Sequence, residues 1–263
     1  MSQPTSITDF SMNFFSLTGQ TAIVTGGNSG LGQGFALALA KAGANVFVVS
    51  MNDDDGKTKA LIEAQGVRYH LAIADITKEG TPAQIIAECV EVFGKVDILV
   101  NNAGICICEE DVTKFNRGMW DKMVSVNLTA AFELSHEAAK NMIPRQKGKI
   151  INTCSLFSYL GGQWSPAYAA TKHGLLGFIK AYCDELAQFN IQVNGIAPGY
   201  FATELTVQTR SNDEANRRVL SHIPAGRWGN IQDLMGAVVY LASDASNYVN
   251  GTMVVVDGGY LVR

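Results

Sequence analysis

Short apolar runs rich in valine and isoleucine alternate with longer segments of helical period along the whole chain. The first run is "TAIVTG" at 21–26; the helical segment "LGQGFALALAKAG" at 31–43 follows it, and the next run is "NVFVVS" at 45–50. Continuous apolar strands separated by helices are typical of a parallel sheet with both faces covered. We therefore predict an α/β Rossmann-type fold: a doubly wound parallel sheet of about seven strands, with helices on both faces.

The remaining elements continue this order to the C-terminus without a linker, a repeat or a break in composition. Further strands are predicted near 67–75, 96–104, 148–154, 191–199 and 252–259. Further helices are predicted near 56–65, 80–93, 118–143, 166–189 and 231–243. The sequence thus indicates one domain over residues 19–263, preceded by an N-terminal arm of residues 1–18.

Composition and charge argue against several classes of partner. The chain of 263 residues has a formal net charge of −4, and its lysines and arginines are scattered rather than gathered into a basic stripe. The N-terminus has no basic region followed by an apolar run of export or membrane-spanning length. Five cysteines without paired spacing are typical of reduced core thiols, and nothing completes a metal site around Cys106 and Cys108. We expect a cytoplasmic protein that binds no nucleic acid, membrane or metal.

The stretch "TGGNSGLGQG" at 25–34 connects the first strand to the first helix. Its glycines allow a tight turn and a close backbone approach, and the helix N-terminus presents free N–H groups and a positive dipole end to an anion. A pyrophosphate fits such a loop, although the spacing T-G-x-x-x-G-x-G departs from the general dinucleotide motif. A glycine turn that serves only close helix–strand packing is the alternative.

Several other motifs occur with this loop, namely "NNAG" at 101–104, Asn127, Ser155, Tyr168 with Lys172, and "PGYFAT" at 198–203. In order and spacing, from about residue 17 to the C-terminus, they resemble the short-chain dehydrogenase/reductase superfamily. Five short segments look most like the members that act on the sugar acids 2-deoxygluconate or 2-keto-3-deoxygluconate. These are "GLGQG" (30–34), "GKIIN" (148–152), "IAPGY" (196–200), "IPAGRWG" (223–229) and "VNG" (249–251).

The resemblance implies a role for each of four polar residues. Tyr168 is the expected acid/base, Lys172 its partner, Ser155 the donor to the substrate oxygen, and Asn127 the anchor of a water relay. Tyr168 and Lys172 are one helical turn apart on the same face, so the ammonium can approach the phenol. A free phenol has a pKa near 10, and we expect Lys172 and an oxidised nicotinamide ring to lower it. For Asn127, an ordinary solvated helix position is the alternative.

The cofactor contacts that the resemblance implies lie in the loops after successive strands. Asp75 is a candidate for the adenine amino group, although it is equally suited to cap the helix that follows. Thr203 has the same alternative. With Tyr168 and Lys172, the predicted cofactor set is Gly26, Asn28, Ser29, Gly30, Leu31, Gly32, Ser50, Asp75, Ile76, Asn102, Ala103, Gly104, Pro198, Gly199 and Thr203.

The end of the second strand, "SMNDDDG" at 50–56, bears on the choice between NAD and NADP. An acidic residue at this point binds the ribose 2′-hydroxyl, whereas an arginine accommodates a 2′-phosphate. Ser50 occupies the expected position, but three aspartates follow at 53–55 and no basic residue occurs before Lys57. Because these carboxylates would repel a 2′-phosphate, we favour NAD over NADP.

The substrate side departs from the sugar-acid subgroup. Basic residues are expected after "NNAG" and just before Tyr168, but the chain has "ICICEED" at 105–111 and "GGQWSPAY" at 161–168. Trp164 offers a ring face to the C–H surface of a sugar, with loop packing as its alternative, and Gln163 can bind hydroxyl groups. We predict a small carbohydrate substrate, either a sugar acid, a sugar or a polyol. The predicted contacts are Ser155, Gln163, Trp164 and Tyr168.

Residues 203–222 are polar and charged, follow the expected nicotinamide loop, and are predicted to form a mobile lid over the substrate. The alternative is a solvated helix face. Arginines at 210, 217, 218 and 227 could supply the cation that is missing elsewhere. By resemblance, the long helices near 118–143 and 166–189 and the C-terminal strand are expected to build a homotetramer with two-fold axes.

The predicted activity is reversible hydride transfer between a nicotinamide and a secondary alcohol or ketone of a small carbohydrate. A 3-oxoacyl-thioester reductase is one alternative, because that group shares the four polar residues; it would prefer NADP and a basic docking surface. A cofactor-binding regulatory protein without catalysis is the other. The presence of Asn127, Ser155, Tyr168 and Lys172 argues against it.

Overall fold

One parallel sheet of seven strands organises the chain in the computed structural model, which describes residues 7–162 and 164–263. The strand order is β3-β2-β1-β4-β5-β6-β7, and every neighbouring pair is parallel. The predicted doubly wound sheet is therefore confirmed. The strands are β1 (Thr21–Thr25), β2 (Asn45–Ser50), β3 (Tyr69–Ile73), β4 (Ile98–Asn101), β5 (Gly148–Thr153), β6 (Ile191–Pro198) and β7 (Met253–Val256).

Helices follow the strands at the places that the periodicity predicts, with two differences. The predicted helix at 118–143 is divided, because a π-helical turn at Ser125–Thr129 separates two α-helices. Such turns often occur at functional sites, and this one contains Asn127. The predicted lid at 203–222 consists of a 3-10 turn and two short α-helices. The helices are α1 (Gly30–Lys41), α2 (Lys57–Glu63), α3 (Thr81–Phe93), α4 (Arg117–Val124), α5 (Ala130–Met142), α6 (Pro166–Leu186), α7 (Val207–Ser211), α8 (Asp213–His222) and α9 (Gln232–Ala242).

Two buried cores lie on opposite faces of the sheet, because successive side chains of a strand point in opposite directions. In β1, Ile23 packs into one core with α3, α5 and α6. Its neighbours Ala22 and Val24 pack into the other core with α1, α2 and α9. This arrangement explains why the strands read as continuous apolar runs rather than as an alternation of apolar and polar residues.

The N-terminal arm joins the core at Leu17, whereas residues 8–13 are exposed. Leu17 is fully buried, and its backbone N–H donates to the carbonyl of Ala42. Residues 1–6 of the predicted arm lie outside the described residues. None of the described helices combines the length and the apolar character needed to cross a bilayer.

The strand order reverses between β1 and β4, which are neighbours in the sheet although two strands separate them in the chain. In such sheets a crevice opens at this point, outside the carboxyl ends of the strands. The glycine loop follows β1, and "NNAG" begins at the last residue of β4. Ser155 follows β5 closely. The topology therefore brings three separate motifs to one edge of the sheet.

Candidate active site

A cavity of about 600 Å³ opens at the carboxyl ends of β1, β4, β5 and β6. Its volume lies within the range of about 300–1,000 Å³ typical of ligand and cofactor sites. Most of the predicted site residues line it. They are Gly26, Ser29, Gly30, Leu31, Gly32, Asn102, Ala103, Gly104, Ser155, Tyr168, Lys172, Pro198, Gly199 and Thr203.

The glycine loop forms a close-packed cradle on one side of this cavity. Gly26 has a φ of +62°, which L side chains rarely adopt. A Cβ atom on Gly32 would lie 2.1 Å from the carbonyl oxygen of Gly26 and 2.4 Å from the side-chain nitrogen of Asn102. Ser29 precedes α1 without capping it through its side chain, so free N–H groups of the helix N-terminus face the cavity rim. This arrangement fits a pyrophosphate.

Thr25, the last residue of β1, connects the glycine loop to the "NNAG" turn. Its hydroxyl oxygen accepts hydrogen bonds from the backbone N–H groups of Asn102 and Ala103, each at 2.9 Å. The side-chain amide of Asn102 donates in return to the Thr25 carbonyl at 2.9 Å. This role was not predicted from the sequence, because the bonded residues are 77 and 78 positions apart in the chain.

Three side chains form the reactive end of the cavity. The hydroxyl of Ser155 lies beside the phenol of Tyr168, close enough to act on its pKa. One helical turn further along α6, the ammonium of Lys172 lies 5.4 Å from the Tyr168 ring centroid and donates to the Thr153 carbonyl at 2.7 Å. These contacts hold a phenol, a hydroxyl and an ammonium around one point at which a substrate oxygen can bind.

The pKa of the phenol differs from our expectation. Burial raises the pKa of Tyr168 to about 12, and the hydrogen bond from Ser155 acts in the opposite direction. Burial also lowers the pKa of Lys172. The chain's own groups therefore do not lower the phenol pKa below its usual value, contrary to the effect expected of Lys172.

Asn127 lies behind the cavity and holds the loop after β4. It is only 2% exposed, so it is not the solvated helix residue of the alternative interpretation. Its side-chain oxygen accepts from the Ile105 N–H at 2.8 Å, and its amide donates to the Ile105 carbonyl at 2.8 Å and to Thr171 at 3.3 Å. A water relay through Asn127 stays a prediction.

The comparisons with known proteins agree with this geometry. The family model described as "Enoyl-(Acyl carrier protein) reductase" matches residues 25–261. The chain belongs to the short-chain dehydrogenase/reductase family. The predicted family is thus confirmed, and the enzyme class with it: the chain is a short-chain NAD(P)-dependent oxidoreductase.

Three relatives of this short-chain dehydrogenase/reductase cover nearly the whole chain. An uncharacterized oxidoreductase of Escherichia coli (strain K12), YgcW, is 70% identical over 98% of both chains. The 2-dehydro-3-deoxy-D-gluconate 5-dehydrogenase of the same organism is 44% identical over 96% of this chain and 99% of its own. The crystal structure of a gluconate 5-dehydrogenase from Burkholderia cenocepacia, in complex with NADP and tartrate, is 36% identical with a TM-score of 0.90. It covers 95% of this chain and 98% of that one.

Four predicted cofactor residues of this dehydrogenase do not line the cavity: Asn28, Ser50, Asp75 and Ile76. The Ser50 hydroxyl donates to the side-chain oxygen of Asn28 at 2.7 Å, so these two residues bind each other. One carboxyl oxygen of Asp75 accepts from the backbone and the hydroxyl of Thr77, which lowers the pKa of Asp75. Asp75 therefore caps the turn that contains Thr77. The alternative interpretation was that it caps the following helix, but α3 begins only at Thr81. Adenosine contacts by these residues stay predictions.

Trp164, a predicted substrate contact, does not line the cavity and has a strained conformation. Its φ is +62°, which is unusual for a bulky residue and costs on the order of 1–3 kcal/mol. The residue is 38% exposed, and its carbonyl accepts from the Glu109 N–H at 2.8 Å. The guanidinium of Arg218 on α8 lies 5.8 Å from the ring centroid. Gln163, the neighbouring predicted contact, lies outside the described residues.

The other arginines near the predicted lid are engaged elsewhere. Arg210 donates to the Thr203 carbonyl at 3.1 Å, and Arg217 donates to the Asp213 carbonyl at 3.2 Å. Arg227 forms an ion pair of 2.7 Å with Asp233. Arg218 is therefore the member of this group that contacts the predicted substrate residue Trp164.

Several lining residues were not predicted from the sequence. They belong to the loops after β4, β5 and β6, so the rule that ligands bind at the carboxyl ends of strands could have found them. They are Ile105, Cys106, Thr153, Cys154, Phe201, Glu204 and Thr206. In the ranges 7–162 and 164–263, no group of three or more His, Cys, Asp or Glu side chains is placed to hold a metal ion.

Proposed function

We propose that this protein catalyses reversible hydride transfer between a nicotinamide dinucleotide and a secondary alcohol or ketone of a sugar acid. The observation that carries the proposal is the convergence of Ser155, Tyr168 and Lys172 at one end of a cavity whose other side is the glycine cradle. The relatives named as 2-dehydro-3-deoxy-D-gluconate and gluconate 5-dehydrogenases support a sugar acid as the substrate class.

Each residue has a role that follows from its position. Ser155 and Tyr168 hold the substrate oxygen, and Tyr168 takes the hydroxyl proton in oxidation and returns it in reduction. A bound nicotinamide supplies the hydride acceptor or donor, and its oxidised ring supplies positive charge. Lys172 keeps its ammonium near the phenol, while Asn127 holds Ile105 and with it one wall of the cavity.

The test is a panel of sugars, polyols, sugar acids and a 3-oxoacyl thioester with NAD and NADP, followed by the nicotinamide absorbance. Turnover of sugar acids is expected. Preferred turnover of the thioester would replace the proposal with the alternative activity, that of a 3-oxoacyl-thioester reductase. Tight dinucleotide binding without turnover of any compound would instead favour a regulatory protein.

Arg218 is the residue that we assign to the carboxylate of the substrate. The cavity lining contains one cation, Lys172, which already donates to Thr153, and one carboxylate, Glu204. A substrate carboxylate therefore needs a cation from outside the lining, and Arg218 lies over the ring of Trp164, four positions before Tyr168 in the chain. The planar guanidinium suits a carboxylate, and the indole ring suits the C–H face of a sugar.

The variant Arg218→Gln is expected to raise KM for a sugar acid by about tenfold or more with little change in kcat, since charge-assisted hydrogen bonds contribute about 1.5–3 kcal/mol. KM for a neutral polyol should not change. The matched control is Arg217→Gln, which removes an exposed arginine from the same helix that donates to its own backbone. Equal KM values for the two variants would contradict the role of Arg218.

For the cofactor, we retain the proposal that NAD is preferred, because no basic residue lies between Ser50 and Lys57. In this stretch Asp54 accepts from the backbone and hydroxyl of Thr58, whereas Asp53 and Asp55 are exposed. The related gluconate 5-dehydrogenase contains NADP, so the family accommodates both cofactors. We expect kcat/KM with NAD to exceed that with NADP by about tenfold; a ratio below one would overturn this preference.

We further propose a cytoplasmic homotetramer built through α5 and α6. The support is an aromatic cluster on these helices: Phe132 is 44% exposed and contacts both Phe178 and Tyr182 edge to face. An exposed aromatic cluster of this kind is suited to bury against a second copy. Sedimentation of the wild type and of Phe132→Glu tests this, and a tetrameric variant would contradict it.

A further inference from the structure

Two cysteines form a thiol pair beside the reactive end of the cavity. The sulfur atoms of Cys106 and Cys108 are 3.7 Å apart, and both residues are exposed, contrary to our expectation of core thiols. Cys106 also lines the cavity. By contrast, Cys89 and Cys154 are buried, as that expectation required, and Cys183 is half-buried. The proposed hydride transfer uses neither Cys106 nor Cys108.

The loop that carries the pair is tied to the catalytic elements on both sides. Ile105 is held by Asn127 through two hydrogen bonds of 2.8 Å. The carbonyl of Ile107 accepts from the Ser165 hydroxyl at 2.8 Å, and Ser165 immediately precedes α6, which carries Tyr168. A change in the geometry of Cys106 and Cys108 is therefore transmitted to the cavity wall and to the start of α6.

We propose that Cys106 and Cys108 form a paired-thiol modification site that reacts with small disulfides to close an intrachain disulfide in the cavity wall. The Cys108 thiolate attacks the small disulfide, releases one thiolate and forms a mixed disulfide. Cys106 then loses its proton to solvent and attacks the Cys108 sulfur, and the second small thiolate leaves. The two cysteines are oxidised and the small disulfide is reduced to two thiols.

The order of attack follows from the surroundings of the two sulfurs. Desolvation of the Cys106 sulfur raises its pKa to about 11, so Cys106 is the weaker first nucleophile. As second nucleophile it acts within the same loop, 3.7 Å from its target, where a high local concentration compensates for a small thiolate fraction.

Closure must shorten the separation of the sulfurs from 3.7 Å to about 2.05 Å. Ile107 lies between the two cysteines, so its backbone must move when the sulfurs approach each other. This movement is restrained, because its carbonyl accepts from Ser165 and its N–H contacts the sulfur of Met123. We therefore expect the disulfide to displace the wall that Cys106 contributes to the cavity and to reduce turnover.

The test is incubation of the intact protein with oxidised glutathione. The protein is then digested with trypsin, and the peptides are analysed by mass spectrometry without a reductant. The peptide of residues 96–114, which contains both cysteines and no other, is expected to lose about 2 Da, the mass of two hydrogens. A stable glutathione adduct on this peptide, or an unchanged mass, would overturn the proposal.

Two variants distinguish the pair from a single reactive thiol. Before treatment with oxidised glutathione, Cys108→Ser is expected to keep its activity. After treatment its peptide should not show the loss of about 2 Da, and at most a glutathione adduct on Cys106 should form. The control Cys183→Ser removes the half-buried thiol and should form the disulfide like the wild type. Retention of the oxidised peptide in Cys108→Ser would contradict the assignment.

An independent probe of pairing is phenylarsine oxide, which binds two adjacent thiols and releases one water molecule. The wild type should bind it at least tenfold more tightly than Cys108→Ser, and equal binding would exclude a paired site. For any substrate that the enzyme turns over, oxidation should lower kcat/KM at least threefold. Treatment with dithiothreitol should restore the original value. Because the mass and arsenical measurements need no substrate, they stand even if the proposed function fails.

Discussion

Tyr168→Phe is expected to lower kcat by about 10³-fold or more, at the upper part of the range that general acid–base catalysis contributes. The variant removes one oxygen atom and leaves the ring, with its edge-to-face contact to Phe157, in place. Because the glycine cradle is untouched, the dissociation constant for the nicotinamide dinucleotide should change by less than about threefold. Single-turnover absorbance measurements and a fluorescence titration give the two quantities.

Tyr159→Phe is the matched control for this prediction. Tyr159 lies in the segment between β5 and α6, nine positions before Tyr168, is 45% exposed and does not line the cavity. Its loss of a hydroxyl should leave kcat unchanged. If Tyr168→Phe retains near-normal turnover, Tyr168 does not transfer the proton, and the proposed function loses its central residue.

Gly32→Ala is expected to weaken dinucleotide binding by about 100-fold or more. The added Cβ would lie 2.1 Å from the Gly26 carbonyl oxygen, and real Cβ atoms do not approach other atoms so closely. The neighbouring atom belongs to the backbone at the end of β1, so the loop must move and the cradle opens. Titration of the nicotinamide fluorescence measures the loss, and a thermal melt reports whether the fold remains.

Two further alanine variants make the result specific to the cradle. Gly177→Ala on α6 places its Cβ in open space and should leave binding unchanged, with a gain of about 0.5–1 kcal/mol in stability. Gly30→Ala also meets no atom within 4 Å, but its φ of +50° is unfavourable for alanine, so an intermediate loss is expected. Unchanged binding in Gly32→Ala would contradict a pyrophosphate site in the loop.

The sheet and the reactive residues were predictable because their signals are local. Buried parallel strands are apolar at every position, helices repeat every 3.6 residues, and both patterns can be read within one element. The offset of four between Tyr168 and Lys172 fixes their shared face on any helix. Their closeness to Ser155 follows from the topology, because Ser155 closely follows β5 and α6 begins at the same edge of the sheet.

Other features depend on neighbours that are distant in the chain. The bonds from Thr25 to Asn102 and Ala103 span 77 and 78 positions, and no local pattern indicates them. Asn127 was expected in an ordinary helix, but a π-turn aims its side chain at Ile105, 22 positions away. The exposure of Cys106 and Cys108 likewise contradicted an interpretation based on the apolar residues beside them.

The sequence by itself determined the parallel sheet, the family and the set of candidate catalytic side chains, because each depends on composition and spacing within short segments. Only the tertiary structure decided how burial shifts the pKa values of Tyr168 and Lys172, the contact between Arg218 and Trp164, and the closeness of the two thiols. The physical reason is that desolvation, charge and contact depend on everything that surrounds an atom. At this edge of the sheet, the surroundings come from segments that are far apart in the chain, such as the glycine loop and the loop after β6.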